Sequence, residues 1–563
     1  MSDDQNHTHE GERHAAPLDD LLADAAVGPW RRFTSGSRIL VKDLVTRPGE
    51  VAKHSASYAV ELSKIAVGSS DVGPHPKDRR FTDDAWRDNP VLKRLAQAYV
   101  AGAAEANELV ADSDLDWEEH EKMQFVVDNL IAAADPNNSL LTNPAALRAA
   151  KDSKGKSLLK GGEHFAKDMS HSPRIPTMVD MSKFKLGENL GISPGQVVAR
   201  TPMYELIQYQ PSTPDVQSVP LLMVPPMINR FYVMDLAPGR SLIEYLVGQG
   251  MQVFVVSWRN PSAEHRDWGF DRYGESIVSG LETVQEISGS EKVNLFGACS
   301  GGIVSTMVAA HLAEVGAEDM LNSLTLVVTV LDQSHAGLAS AVMSNRTKMM
   351  AKASSAQHGY LDGRTLAEVF AWLRPGDLIW NYWVNNYLMG NEPPAFDILA
   401  WNADVTRMPM KLHHDFLDAG FENKVVHPGE QDILGTPVDL SKITVDTYQV
   451  AGIADHLCDW KSCYITPQLL GGKSRFVLSS SGHIAAIVNP PGNRKAKYRV
   501  SDVNPEGASN FLAEASTETG TWWGDYVDWL KERSGPVKPA PETLGSDAFP
   551  PLEPAPGRYA FEE

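Results

Sequence analysis

Cysteine is almost missing from this 563-residue chain, with three present, at 299, 458 and 463. So odd and sparse a count excludes a disulfide scaffold and fits a reducing compartment. Uninterrupted apolar runs of about 18 residues, the length that crosses a bilayer as a helix, are missing too, so no transmembrane segment is expected. The opening M-S-D-D-Q-N-H-T-H-E-G-E-R-H lacks the apolar stretch of a secretory signal. Basic residues are in deficit: 51 Lys and Arg stand against 72 Asp and Glu, a formal charge of −21. That field repels phosphate backbones, which excludes general nucleic-acid binding, and an anionic substrate needs a local basic patch. No internal repeat is found. What is present, 42% hydrophobic and 22% charged residues, is the composition of a folded, soluble, intracellular protein of several domains.

Residues 1–16 mix charge, histidine and glycine without periodicity, and a disordered tail is expected there. His7, His9 and His14 have no carboxylate or cysteine frame to make them a metal site. From 17 to 182 the pattern is mostly helical, and residues 85–106 and 120–134 repeat apolar side chains at three and four. Beyond 183 the texture changes. Residues 196–209 read as paired opening strands, and short apolar runs follow at 219–224, 252–256, 292–296, 323–331, 444–450 and 474–479. Continuous apolar strands spaced by helices predict a parallel sheet covered on both faces. The stretch 333–440, rich in Trp, Tyr, Asn and Met, interrupts that rhythm and reads as an inserted cap. From about 535, Pro, Glu and Ala predict an extended tail on the surface. The expected organisation is a helical N-terminal domain (17–182) and an α/β domain (183–563) with a cap at about 333–440.

The most informative string is Gly297-Ala298-Cys299-Ser300-Gly301-Gly302, after the strand candidate K-V-N-L-F and before a helical pattern. Strand, G-x-nucleophile-x-G, helix is the nucleophile elbow of the α/β-hydrolase fold, here with Cys as nucleophile. The glycines relieve clashes around a strained turn, and the helix N-terminus favours the thiolate. A buried structural cysteine is the plainer reading of Cys299 by itself. The fold requires an acid and then a histidine later in the chain. Asp455 and His483 each sit just past the end of a strand candidate, the edge where open α/β sheets bind ligands. His483 is then the base for Cys299, and Asp455 orients its ring. His456 is the rival base, but it adjoins the acid and has no strand of its own.

An oxyanion hole needs the backbone N–H of Ser300 and a second amide from the loop 224–230, where Pro225 and Pro226 cannot donate; Met227 and Ile228 are the candidates. Cys458 and Cys463 lack zinc-ligand spacing, and His413 and His414 have no further metal-ligand residues spaced to join them, so no metal is expected. Arg230, Arg259, Arg266 and Arg407 are candidates to meet phosphates, each also readable as structural. Trp522, Trp523 and Trp529 read as packing of a last helix, with a polymer-contacting surface as the other possibility.

Several strings together resemble the poly(3-hydroxyalkanoate) synthases: P-P-M-I-N-R-F-Y-V-M-D-L-A-P, V-V-S-W-R-N-P, G-A-C-S-G-G, L-R-P-G-D-L-I-W-N-Y-W-V-N-N-Y, G-N-E-P-P-A-F-D-I-L-A-W-N, A-D-H and S-S-G-H-I-A-A-I-V-N-P-P-G-N. The resemblance is close from about 183 to about 534 and weaker before that. It implies a Cys299, Asp455 and His483 triad, a single-subunit-type enzyme and 3-hydroxyacyl-CoA as monomer. It further implies CoA as leaving group without a separate cofactor, a homodimer, and residence on cytoplasmic polyester granules with phasin-type partners. Ala298 and Ser300 beside the nucleophile look more like the medium-chain members. A Cys-dependent hydrolase or thioesterase of the same fold, and a non-catalytic granule-binding scaffold, remain the alternative readings.

Overall fold

The computed structural model of the chain describes residue 26 and residues 30–333, 340–455 and 457–562. The expected tail at 1–16, with its three histidines, and His456 lie outside the described residues. The core is an 11-stranded sheet. From one edge its strands run Ser516–Thr519, Lys497–Ser501, Ser474–Ser479, Asp446–Gly452, Leu321–Val327 and Val293–Ala298. Leu221–Val224, Val253–Trp258, Tyr204–Tyr209, Gly195–Arg200 and Glu553–Pro554 complete the order. The central strands, from Ser474–Ser479 to Val253–Trp258, are parallel, and antiparallel strands flank them on both sides.

The apolar runs are continuous because the sheet is buried on both faces. Alternate side chains enter two different apolar clusters. Leu222, Val224, Phe254 and Val256 enter one, and Leu221, Met223, Val253 and Val255 the other. Helices Phe270–Ser288 and Ser300–Glu314 contribute to the first cluster, and Leu242–Gly248 and Trp522–Lys531 to the second.

The N-terminal region is helical from Trp30–Thr46 to Lys156–Met169, with small apolar clusters of its own, such as Ile39, Val110, Met123 and Val127. The helical pattern over 85–106 forms two helices, Ala85–Asp88 and Pro90–Ala111. Asn89 stands before a proline, takes an extended backbone (φ −89°, ψ 115°) and caps the second helix by accepting the Val91 and Leu92 N–H groups. Between the strands ending at Val327 and starting at Asp446, the described chain is mainly helical. Its aromatic stretch forms two π-helical segments, Gly376–Trp380 and Trp383–Leu388, that dock on the N-terminal helices. Phe165 packs edge-on to Trp383 and Tyr387, the Trp383 indole donates to Asn138 O (3.1 Å), and Tyr387 OH donates to Asp168 (2.7 Å). Those aromatics therefore join two parts of the chain, where the sequence suggested a cover for the site.

The C-terminal segment also departs from expectation. It is extended, but it is built into the fold: Val537–Pro539 pairs with Asp215–Gln217, and Glu553–Pro554 adds to the sheet beside Gly195–Arg200. Proline and alanine suit that role because an edge strand needs donors on one side only. Arg230, 4% exposed, is the clasp. Its guanidinium donates to Asp404 Oδ1 (3.2 Å), Tyr559 O (2.9 Å) and Glu562 O, which ties the loop after Val224 to the insertion and the C-terminal segment. Arg230→Ala should lower stability by about 2–3 kcal/mol through loss of these charge-assisted bonds. The check is the urea midpoint at unchanged slope; a surface-like change below about 0.5 kcal/mol would contradict the clasp.

Candidate active site

Cys299 is the single residue between the strand ending at Ala298 and the helix Ser300–Glu314. Its backbone sits at φ 50°, ψ −122°, a region that side chains other than glycine rarely enter. Hydrogen bonds on both sides hold it there. Its N–H donates to Val327 O (2.9 Å), and its carbonyl accepts Gly302 N–H (2.9 Å) and Ile303 N–H (3.2 Å). The reversal brings strand and helix so close that a Cβ on Gly297 would lie 2.6 Å from Gly302 Cα, and one on Gly301 would meet the Pro225 carbonyl. The elbow thus presents the thiol at the C-terminal edge of the sheet.

Asp455 follows the strand ending at Gly452, and His483 opens the short helix His483–Ile487 after the strand ending at Ser479. Gly452 and Ser479 are register partners, so the two loops rise side by side. His483 Nδ1 lies 2.7 Å from Asp455 Oδ2. The other carboxylate oxygen accepts the Leu457 and Cys458 N–H groups (2.8 and 2.9 Å), and the Asp455 side chain is fully buried. Cys299 Sγ, Cys458 Sγ and a His483 ring nitrogen lie within 4.8 Å of one another. With Nδ1 turned to Asp455, the nitrogen facing the sulfurs is Nε2.

A hydrogen bond from the Cys458 thiol lowers the pKa of Cys299; burial opposes it, and the His483 bond and charge with the Ser300 N–H add to the lowering, so the thiol ends well below its ordinary value. Burial works to lower His483, but the Asp455 charge and hydrogen bond and the contact with Cys299 outweigh it and raise the imidazole. Both shifts favour a thiolate–imidazolium pair. The Cys299 bond and burial push Cys458 the other way, so it stays a neutral donor.

The structure brings Cys299, Asp455 and His483 together at one sheet edge. It treats the two loop amides differently: the Met227 N–H donates to Ser300 Oγ (3.1 Å) and is committed there, while the Ile228 N–H has no acceptor among the described residues. Cys458 was legible only as half of a poorly spaced pair with Cys463; the signal for its place is D-H-L-C, in which Asp455 accepts the amides two and three residues on and turns the chain back. Trp522 and Trp523 do more than pack their helix. Their indoles donate to Ala486 O (2.7 Å) and Ile487 O (3.2 Å), fixing the helix that carries His483. Of the arginine candidates, Arg230 is the clasp already described and Arg259 pairs with Glu562 (3.0 Å) over the Tyr559 ring. Arg266 donates to Ala356 O (3.1 Å), and Arg407 lies over the Tyr360 ring.

A mixed sheet of this order, with a nucleophile elbow and with His and Asp on later strand ends, defines a protein of the α/β-hydrolase fold. Residues 232–490 match the family described as alpha/beta hydrolase fold, and residues 77–246 match the N-terminus of poly-beta-hydroxybutyrate polymerase (PhaC). Poly(3-hydroxyalkanoate) polymerase 1 of Ectopseudomonas oleovorans is 42% identical over 558 residues, covering 99% of this chain and 100% of that one. Poly(3-hydroxyalkanoate) polymerase subunit PhaC of Cupriavidus necator is 35% identical over 562 residues, covering 98% and 92%. The chain belongs to the poly(3-hydroxyalkanoate) polymerase family of enzymes.

The lowered thiol makes a pH prediction. Alkylation of Cys299 by iodoacetamide should persist at pH values where an ordinary thiol, with pKa about 8.5, is protonated and slow. His483→Gln removes the imidazolium and should move the labelling midpoint upward. Peptide mass spectrometry reads the site, and equal midpoints in the two proteins would contradict the ion pair.

Proposed function

We propose that this chain polymerises (R)-3-hydroxyacyl-CoA into poly(3-hydroxyalkanoate) with release of CoA, through a thioester on Cys299. The reading rests on one observation: an elbow cysteine in contact with a histidine that is held by a buried carboxylate. The family membership supplies the substrate class.

The Cys299 thiolate attacks the acyl-CoA carbonyl while the Ser300 and Ile228 amides receive the developing oxyanion. The tetrahedral intermediate collapses, the C–S bond to CoA breaks, and the His483 imidazolium gives its proton to the departing CoA thiolate. A 3-hydroxyl group then attacks the acyl-Cys299 carbonyl, neutral His483 takes the hydroxyl proton, and the ester leaves as Cys299 returns to thiolate. Asp455 keeps the imidazole tautomer and orientation through both halves. It bears most on the second, where neutral His483 must take a proton, because the preformed thiolate needs no base to attack. Exchange of one thioester for another is close to isoenergetic, and the passage from thioester to oxoester is downhill, so cysteine suits the relay. Water is the competing acceptor. Cys299 is 8% exposed and shares an apolar cluster with Trp401 and Ala400 of the insertion, which favours transfer to the hydroxyl. Acylation at so covered a sulfur requires those surroundings to give way.

In the same reading the enzyme works as a homodimer at the surface of cytoplasmic polyester granules beside phasin-type proteins, held there by its growing product. Among the described residues no helix is long and apolar enough to cross a membrane.

The deciding assay supplies 3-hydroxybutyryl-CoA and 3-hydroxyoctanoyl-CoA, follows CoA release and identifies the product. Insoluble polyester is expected; free acid would mean a hydrolase or thioesterase, and no turnover a scaffold. Cys299→Ala should cut CoA release by roughly 10⁴-fold or more, and near-normal turnover in that variant would end the thioester mechanism. Asp455→Asn should slow elongation more than acylation, so acyl-Cys299 accumulates in a single turnover; no trapped acyl-enzyme would count against the assigned role.

A further inference from the structure

The Cys458 thiol makes and breaks no covalent bond in the transfer chemistry; it lies against the nucleophile and donates a hydrogen bond to it. Cys299 Sγ, Cys458 Sγ and the His483 ring nitrogen, contributed by three separate segments, are mutually within 4.8 Å. We propose that Cys299, Cys458 and His483 Nε2 form a binding site for a soft, thiophilic divalent cation, Zn²⁺ above all, whose binding reversibly blocks the nucleophile.

The donor set carries the choice of ion. Two thiols and an imidazole select zinc or cadmium over magnesium or calcium, which prefer oxygen. Tetrahedral zinc with ordinary Zn–S and Zn–N bonds places such ligand atoms about 3.5–3.8 Å apart, so a triangle within 4.8 Å closes on the ion by movements of about 1 Å or less per edge. The ring is already oriented for this: Asp455 Oδ2 holds Nδ1 at 2.7 Å, the carboxylate–histidine arrangement that supports metal-bound imidazoles. The same carboxylate accepts the Cys458 N–H and fixes the backbone that carries the second thiol. Three protein ligands leave the fourth position to water.

The charge balance suits a buried site, with the three residues 7–9% exposed. One divalent cation meets two thiolates and a neutral imidazole, a set with no net charge. Whether the free site holds thiolate and imidazolium or thiol and imidazole, it carries two protons besides the one on Nδ1. Metal binding therefore releases two protons and involves no electron transfer. Cys463, buried nearby in sequence, is not in the group and serves as the internal control.

The site stands on geometry and not on the polymerisation reading, and its test uses no acyl-CoA. Cd²⁺ is titrated into the reduced, metal-free full chain, following the ultraviolet thiolate-to-cadmium charge-transfer band and proton release in weak buffer. One cadmium per chain, two protons per cadmium and protection of Cys299 from iodoacetamide are expected, with Zn²⁺ displacing cadmium. Cys458→Val should weaken binding by more than the ~10–100-fold that loss of an outer-shell partner costs, while Cys463→Ser should bind as the parent does. If Cys458→Val fails to fold, the cadmium NMR shift of the unsubstituted protein still separates a two-sulfur, one-nitrogen site from oxygen coordination. No saturable thiolate band, an oxygen-type shift, or equal affinity in the parent and Cys458→Val would overturn the proposal.

Discussion

A reversal of the chain within one residue, at Cys299, is the constraint on which the rest of the site depends. Its backbone costs about 1–3 kcal/mol of strain and survives because a strand and a helix, both buried, are pinned on either side of it. The helix Ser300–Glu314 is buried along nearly its whole length, so it cannot rotate away to relax the turn. The parallel sheet then does the remaining work. Because neighbouring strands end at the same level, a carboxylate and an imidazole from residues far along the chain arrive next to the sulfur without further adjustment.

Much of this was legible in the chain itself, for identifiable reasons. A strand covered on both faces must be apolar without interruption, so the central strands announced themselves. The elbow did so through glycines that no side chain could replace, and Asp455 and His483 through their places after two of those strands. Other features are fixed by contacts that periodicity does not encode. The edge pairing of Glu553–Pro554 needs few apolar residues, so the segment resembled a loose tail. The choice between Met227 and Ile228 turns on whether the Ser300 hydroxyl accepts one of those amides. Cys458 reaches Cys299 through a side-chain-capped turn whose local signal is weak, and the tryptophans at 522 and 523 resemble any apolar pair until their indole partners are seen.

The insertion illustrates how composition can mislead about purpose. Tryptophan and tyrosine suggested a cover over the thiol. The Trp383 and Tyr387 rings instead meet Phe165 and each other, and their polar ends bond to Asn138 and Asp168, while the Trp380 indole packs on Trp383 with its N–H buried and without an acceptor among the described residues. A large amphipathic ring with one polar tip suits such a joint, since it buries area and still satisfies its N–H or O–H. The residues that share an apolar cluster with the cysteine come from a different part of the insertion, Ala400 and Trp401, and Trp401 in turn donates to Arg230 O (2.8 Å).

Arg230 has a bearing on how the molecule is made. Its Nη2 partner, Glu562 O, lies 332 residues further along the chain. On the ribosome, the elbow, the carboxylate and the imidazole are all synthesised before that carbonyl exists. The loop carrying the Ile228 amide therefore gains its full set of anchors only after synthesis has passed residue 562, which makes that loop the last part of the site to be fully tied down.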